Sequence, residues 1–105
     1  MSILDLGCGK GINIDFFKAG NGTVFGLDIS LASLSEAARS FPQRKLLCGS
    51  GESIPFRDCS MDAVVSNVAL CYMDIPKALR EINRVLVPGG TLAATLHYFA
   101  FSRSN

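Results

Sequence analysis

The stretch Ile3-Leu4-Asp5-Leu6-Gly7-Cys8-Gly9-Lys10-Gly11 decides how this chain folds. Ser2–Leu6 is a short apolar run that breaks directly into glycines at every second position, the pattern of a β-strand entering a tight turn. Alternate glycines allow positive φ and let a ligand approach the backbone with no Cβ in the way. A weakly helical pattern follows over 12–18, with Ile12, Phe16 and Phe17 apolar and Gly20-Asn21-Gly22 as its stop. The free N–H groups at the start of such a helix point back toward the glycine turn.

Outward from this turn, strands and helices alternate. Thr23–Asp28 is expected to be a second strand. Ser30 offers an N-cap to a helix over 31–41, with Leu31, Leu34, Ala38 and Phe41 on one face before Pro42. Lys45–Cys48 is a third strand, and 49–60 is a loop containing Gly51, Pro55 and Asp58. Met61–Asn67 holds Ala63-Val64-Val65, the continuous apolar run of a strand buried on both faces. Asp74 or Ile75 caps a helix over 75–87, with Pro76 in its first turn and a stripe of Ala78, Leu79, Ile82, Val85 and Leu86. Pro88-Gly89-Gly90 is expected to end that helix, and 91–97 to form a fifth strand. The order predicts an α/β fold, a Rossmann-like three-layer sandwich around a mostly parallel five-stranded sheet. Ligands of such sheets sit beyond the carboxyl ends of the strands, where the winding reverses. The loops after Leu6, Asp28, Cys48 and Asn67 are therefore the expected site.

The 105 residues make one domain, 1–105, and 49% hydrophobic against 18% charged content rules out a disordered chain. A net charge of +1 gives no electrostatic footprint for nucleic acid or an acidic membrane. No apolar run is long enough to span a bilayer and no leader pattern follows Met1, so a soluble, cytoplasmic protein is expected. Cys8, Cys48, Cys59 and Cys71 include no C-x-x-C pair, and His97 is the one histidine, so no metal site is expected. The thiols are expected to be reduced and mostly buried, as small hydrophobes. Cys71, in an expected site loop, is the candidate for thiol chemistry.

The glycine turn by itself fits a plain turn or the opening of a nicotinamide- or flavin-binding fold. The second strand narrows this, because it ends in Gly26-Leu27-Asp28, about twenty residues past the turn. An acid there accepts hydrogen bonds from both ribose hydroxyls of a bound nucleoside. Capping the next helix is its competing use, and Ser30 already serves that end. Turn and acid together point to an adenosine-containing ligand without saying which.

Four ordered blocks carry a more specific likeness. Residues 3–11, then Val24-Phe25-Gly26-Leu27-Asp28-Ile29-Ser30, then Gly51-Glu52-Ser53-Ile54-Pro55-Phe56 with Met61-Asp62-Ala63-Val64-Val65, then Ala78-Leu79-Arg80-Glu81-Ile82-Asn83-Arg84-Val85-Leu86-Val87-Pro88-Gly89-Gly90 resemble the class I S-adenosylmethionine-dependent methyltransferases. The likeness is to the small-molecule group that includes the ubiquinone/menaquinone C-methyltransferases. It implies the strand order 3-2-1-4-5 and S-adenosyl-L-methionine as cofactor. It also implies roles by position. Asp5, Gly7, Gly9 and Gly11, with Cys8 between them, would lie along the methionine moiety. Asp28 would hold the ribose and Ile29 would pack on the adenine. Ser50, Gly51 and Glu52 would meet the adenine edge, largely through backbone. Ser50 departs from the family's usual aspartate, which puts full adenine affinity in doubt. Asn67 and Val68 would run under the sulfonium and face a small-molecule methyl acceptor.

The ligand has no pyrophosphate, so Lys10 is expected to be solvated. In-line methyl transfer needs alignment and exclusion of water more than a dedicated base. His97 and Tyr72 are the candidates for base and substrate contact. Asp62, at the amino end of its strand, is expected to be structural, and Arg80, Glu81 and Arg84 to form solvated pairs on a polar helix face.

The resemblance further implies that the chain is a partial core, truncated at both ends: the family fold has a helix before the first strand, and a helix and antiparallel hairpin after the fifth. With helices 12–18 and 31–41 on one face and only 75–87 on the other, an apolar patch is expected. Self-association, a partner chain or the tail bearing Tyr98, Phe99 and Phe101 would cover it. Two functions stay open: an active methyltransferase, and a non-catalytic fragment or degenerate paralogue that binds cofactor or a partner chain.

Overall fold

The computed structural model describes residues 1–8, 22–40, 45–67 and 72–95. In chain order these form β1 (Ser2–Leu6), β2 (Thr23–Asp28), α1 (Leu31–Ser40), β3 (Lys45–Cys48), β4 (Met61–Asn67), α2 (Ile75–Val85) and β5 (Leu86–Thr95). The strands make one sheet in the order β3-β2-β1-β4-β5, parallel at every pairing, as expected from the sequence. The helix expected over 12–18 lies outside the described residues, as do Phe41 and the tail beyond Thr95.

β1 sits at the centre and its period of two feeds both layers. Leu4 and Leu6 point to the face shared with Leu27 and Val64, where Ala78, Ile82 and Val85 of α2 pack on them. Ile3 points to the other face, where it joins Val24, Cys8 and Leu46 beneath Leu34 of α1.

Each helix departs from its expected form. In α1 the buried pair is Leu34 and Ala37, while Leu31 is 67% exposed and Ala38 is also exposed. Leu31 stands in the first turn, just past the carboxyl end of β2. Ser30 caps this helix as expected, its Oγ accepting from Ser33 N at 3.2 Å. In α2 Asp74 is the N-cap, accepting from Lys77 N at 3.3 Å, and Leu79 is left 43% exposed beside the buried Ala78, Ile82 and Val85.

α2 also ends at Val85 rather than running to 87. Cys59 N and Ser60 N donate to the carbonyls of Arg84 and Val85 at 2.9 and 2.8 Å, satisfying the helix's last acceptors from outside. Leu86 is then already extended and pairs with Met61. Pro88-Gly89-Gly90 does not terminate the helix; it lies within β5, where the pairing jumps from Met61↔Leu86 to Ala63↔Thr91. Gly89 has φ +82, which a side chain would strain, and a Cβ on Gly90 would come within 2.9 Å of Val87 O.

The expectation that one helix alone covers the second face is corrected. Residues 49–60 fold over it as well. Ile54, 3% exposed, enters the core, and Phe56 meets Phe25 edge to face with ring centroids 5.3 Å apart. Part of the bare area that motivated self-association is thus filled from within the chain.

The cysteines are corrected too. Cys8 is buried, but Cys48 on edge strand β3 and Cys59 in a turn at φ 51 are exposed, and Cys71 lies outside the described residues. Asp62 is structural as expected, accepting from Ser2 N at 2.7 Å. Among the described residues no helix is long and apolar enough to cross a membrane.

A candidate nucleoside site at the carboxyl edge of the sheet

β1 ends at Leu6, and the chain turns at Gly7 with φ +76. Gly7 N and Cys8 N both donate to Leu27 O, at 2.7 and 3.1 Å, which ties the turn to the end of β2. A side chain at this φ would cost about 1–2 kcal/mol. One strand over, Asp28 closes β2. Its Oδ1 accepts from Ser30 N at 2.8 Å and so bends the chain into α1, while its backbone carbonyl accepts from Gly49 N at 2.9 Å. The third wall is the loop after β3. Ser50 Oγ accepts from Glu52 N at 3.0 Å and Ser50 O from Ser53 N at 3.1 Å, a tight side-chain turn. Gly51 is buried inside that turn, and a Cβ there would come within 2.7 Å of Met73 Sδ and 3.0 Å of Leu6 Cδ1.

These three turns enclose a cleft of about 330 Å³. Of the residues singled out in the sequence, Gly7, Asp28, Ile29, Ser50, Gly51, Glu52 and Tyr72 line it together, joined by Leu6, Leu27, Gly49 and Met73. Ile29 and Tyr72 are exposed, a flat apolar rim beside the Asp28 carboxylate. Asp5 and Cys8 are buried rather than in the lining. Asn67 ends β4 and only its backbone is described; Gly9, Gly11, Val68 and His97 lie outside the described residues.

Burial dominates the electrostatics. Asp5 is 1% exposed, and its Oδ2 has no hydrogen-bond partner among the described residues. Burial, with the Asp28 charge as the smaller cause, pushes its carboxyl up from 3.8 to about 6. Burial likewise pushes the Cys8 thiol up to about 12, with Asp5 and Asp28 adding to it, so this thiol is inert near neutral pH. The Asp5 shift carries a sign. A folded value above the unfolded one favours the fold while the acid is neutral, and that advantage is lost as pH rises through about 6. The span from 3.8 to about 6 corresponds to about 3 kcal/mol. Asp5→Asn is therefore expected to raise the melting temperature at pH 7.5 and to flatten its fall between pH 4 and 7. Parallel thermal melts across that range check this, and identical slopes for both proteins would refute it.

Two residues that hold the segment following the cleft wall were missed in the sequence. Glu81 and Arg84 are not a solvated surface pair. Arg84 holds Glu81 through Nε–Oε2 at 2.7 Å and also donates to Ile54 O, Phe56 O and Asp58 Oδ1. The Arg84 hydrogen bond holds the Glu81 carboxyl below its ordinary value. Glu81 and Arg84 directly precede Ile82 and Val85, so they border the apolar stripe. That position was the available signal, but spacing alone does not say what lies opposite.

A sheet wound 3-2-1-4-5, with glycine and acid at the ends of its first two strands, belongs to the Rossmann-like class whose members take ligands at the carboxyl edge. Within that class the family is defined. A family model of the methyltransferase domain matches residues 4–94, and the chain belongs to that family as a core segment of a class I S-adenosylmethionine-dependent methyltransferase. It is 38% identical over 91 residues to a malonyl-[acyl-carrier protein] O-methyltransferase of Erwinia pyrifoliae, covering 86% of this chain and 35% of that protein. A demethylmenaquinone methyltransferase of Renibacterium salmoninarum is 35% identical over 91 residues, covering 86% and 38%. Among solved structures, the complex between the Haloferax volcanii Trm112 methyltransferase activator and a methyltransferase gives a TM-score of 0.84 at 32% identity, over 90% of this chain and 44% of that one. The chain thus spans little more than a third of the length of the curated relatives it matches.

Proposed function

We propose that the cleft binds S-adenosyl-L-methionine and that the chain serves methyl transfer to a small molecule. The observation that carries this is Asp28 at the end of β2 in the cleft, with Ile29 after it and the glycine wall of residues 49–51 following the adjacent strand β3. Asp28 accepts from the ribose hydroxyls, Ile29 packs on one face of the adenine, and the backbone at Gly51-Glu52 meets the adenine edge. Gly51 fits this role because a Cβ there would collide with Met73 and Leu6, so glycine keeps this backbone at the cleft wall. The buried Oδ2 of Asp5, two residues before the Gly7 turn and without a hydrogen-bond partner among the described residues, suits a ligand that carries hydrogen-bond donors to that side. The donors there are those of the methionine moiety, along Gly7, Gly9 and Gly11. Asn67 and Val68 border the methyl-bearing end.

Ser50 modifies the adenine contact. Its Oγ already accepts from Glu52 N, so it offers its O–H to the base more readily than a second lone pair. Adenine is held less tightly than an aspartate at this position would hold it. When bound, the cofactor would supply a methyl group activated by its sulfonium, for in-line displacement onto a nucleophilic atom of the acceptor with the neutral thioether S-adenosylhomocysteine as the leaving group. The chain's own part is to align and to shield. In this reading Tyr72, which lines the cleft, contacts the acceptor.

A second reading has the chain bind cofactor but act only with a partner chain. It is favoured by the activator complex of the Haloferax neighbour. Calorimetric titration tests the cofactor site common to both readings. Saturable binding of S-adenosylmethionine and of its demethylated product below about 1 mM is expected; no heat at millimolar ligand would sink the proposal. Transfer of labelled methyl groups by the chain alone then favours the first reading.

A further inference from the structure

We propose that Glu81 and Arg84 of α2 are positioning residues for the cofactor: they fix the shape of the loop that walls the cleft, although neither lines it. The inference rests on reading the cleft as the cofactor site. Its basis is a set of bonds to a single segment. The Arg84 guanidinium donates to Ile54 O at 2.8 Å, Phe56 O at 2.8 Å and Asp58 Oδ1 at 2.9 Å. It also donates to both oxygens of Glu81, at 2.7 and 3.0 Å. Glu81 Oε1 in turn accepts from Ile54 N at 2.7 Å. One ion pair therefore captures both backbone groups of Ile54 and the carbonyl of Phe56.

The other end of the segment is tied to the same helix. Glu52 Oε2 accepts from Asp74 N, the N-cap of α2, at 3.1 Å. The wall Ser50-Gly51-Glu52 thus leads at Glu52 straight into a segment held at two points on one rigid element, which Ala78, Ile82 and Val85 anchor in the core. Gly51, one residue before the Glu52 attachment, packs so that even a Cβ would meet Met73 Sδ at 2.7 Å and Leu6 Cδ1 at 3.0 Å, so a shift of the segment reaches the cleft wall directly. A planar fork with several donors suits such a hub; a lysine ammonium does not span three separate oxygens in this geometry.

A merely structural latch would lower stability and leave the affinity of the folded protein alone. Titration of the full chain with S-adenosylhomocysteine separates the two. Arg84→Ala is expected to lose tenfold or more in affinity, Arg84→Lys to remain as weak, and added methylguanidinium to restore much of the loss in Arg84→Ala. Asp62→Ala, which removes a bond at the opposite end of the sheet, serves as a destabilised control and is expected to bind within twofold of wild type. Should Arg84→Ala not fold, Glu81→Gln keeps the side-chain size and is expected to lose at least threefold. If wild type binds and Arg84→Ala or Glu81→Gln binds within twofold of it, the inference fails alone. If wild type does not bind, the reading of the cleft fails and this inference falls with it.

Discussion

Asp28→Ala is expected to weaken binding of S-adenosylmethionine about 100-fold. A hydrogen bond to a charged group contributes about 1.5–3 kcal/mol, and the proposed ribose contact supplies two of them to one carboxylate. Even the lower figure for both reaches about 3 kcal/mol, and each 1.4 kcal/mol is a factor of ten. Asp28→Asn keeps the size and one acceptor, so it is expected to lose about tenfold. The cost to the fold is separate and smaller. Ser30 N loses its 2.8 Å acceptor, worth about 1 kcal/mol, while Ser30 Oγ still caps α1. Asp28→Asn also removes the negative charge that helps raise Asp5, so the Asp5 carboxyl is expected to titrate below about 6 in that variant. Calorimetry with far-UV circular dichroism reads both effects. A variant that binds within threefold of wild type would show that the ribose does not sit on Asp28.

Ile82→Ala is expected to cost about 3 kcal/mol of stability, and Leu79→Ala less than about 1 kcal/mol. Both residues fall on the apolar stripe of α2 by spacing, so the sequence treats them alike. The structure separates them. Ile82 is fully packed against Leu4, Val64 and their neighbours, whereas Leu79 is 43% exposed at the border of the stripe. Truncating Ile82 leaves a cavity in a close-packed core; truncating Leu79 removes surface that water already reaches. Against a total stability of about 5–15 kcal/mol the first change is severe. Urea unfolding of the two variants is the measurement, and equal midpoints would mean that α2 is rotated from the orientation described.

What the sequence makes legible here is what local pattern controls. Alternation along β1, the glycine turn, Asp28 at its strand end and Ser30 as a cap are short-range features, and each appears where its spacing places it. Six of the proposed cofactor positions meet around one cleft because parallel winding brings the strands' carboxyl ends together. The misreadings share another cause. The end of α2 is set by the N–H groups of Cys59 and Ser60, which take its last carbonyls. The partners of Glu81 and Arg84 lie 26 to 30 residues away. The second face of the sheet is covered by Ile54 and Phe56 from a segment with no regular period. Leu31 and Cys48 are exposed, the first just past the carboxyl end of β2 and the second on an edge strand. None of these follows from spacing, since each depends on which distant segment supplies the partner.

The most direct test of the cofactor assignment is a structure of the chain bound to S-adenosylhomocysteine. The ribose diol is expected on the Asp28 carboxylate, the adenine between Ile29 and the Ser50-Gly51-Glu52 turn, and the homocysteine end along the Gly7 turn toward Asp5. An adenosine held elsewhere on the chain, with Asp28 turned away from it, would contradict that prediction.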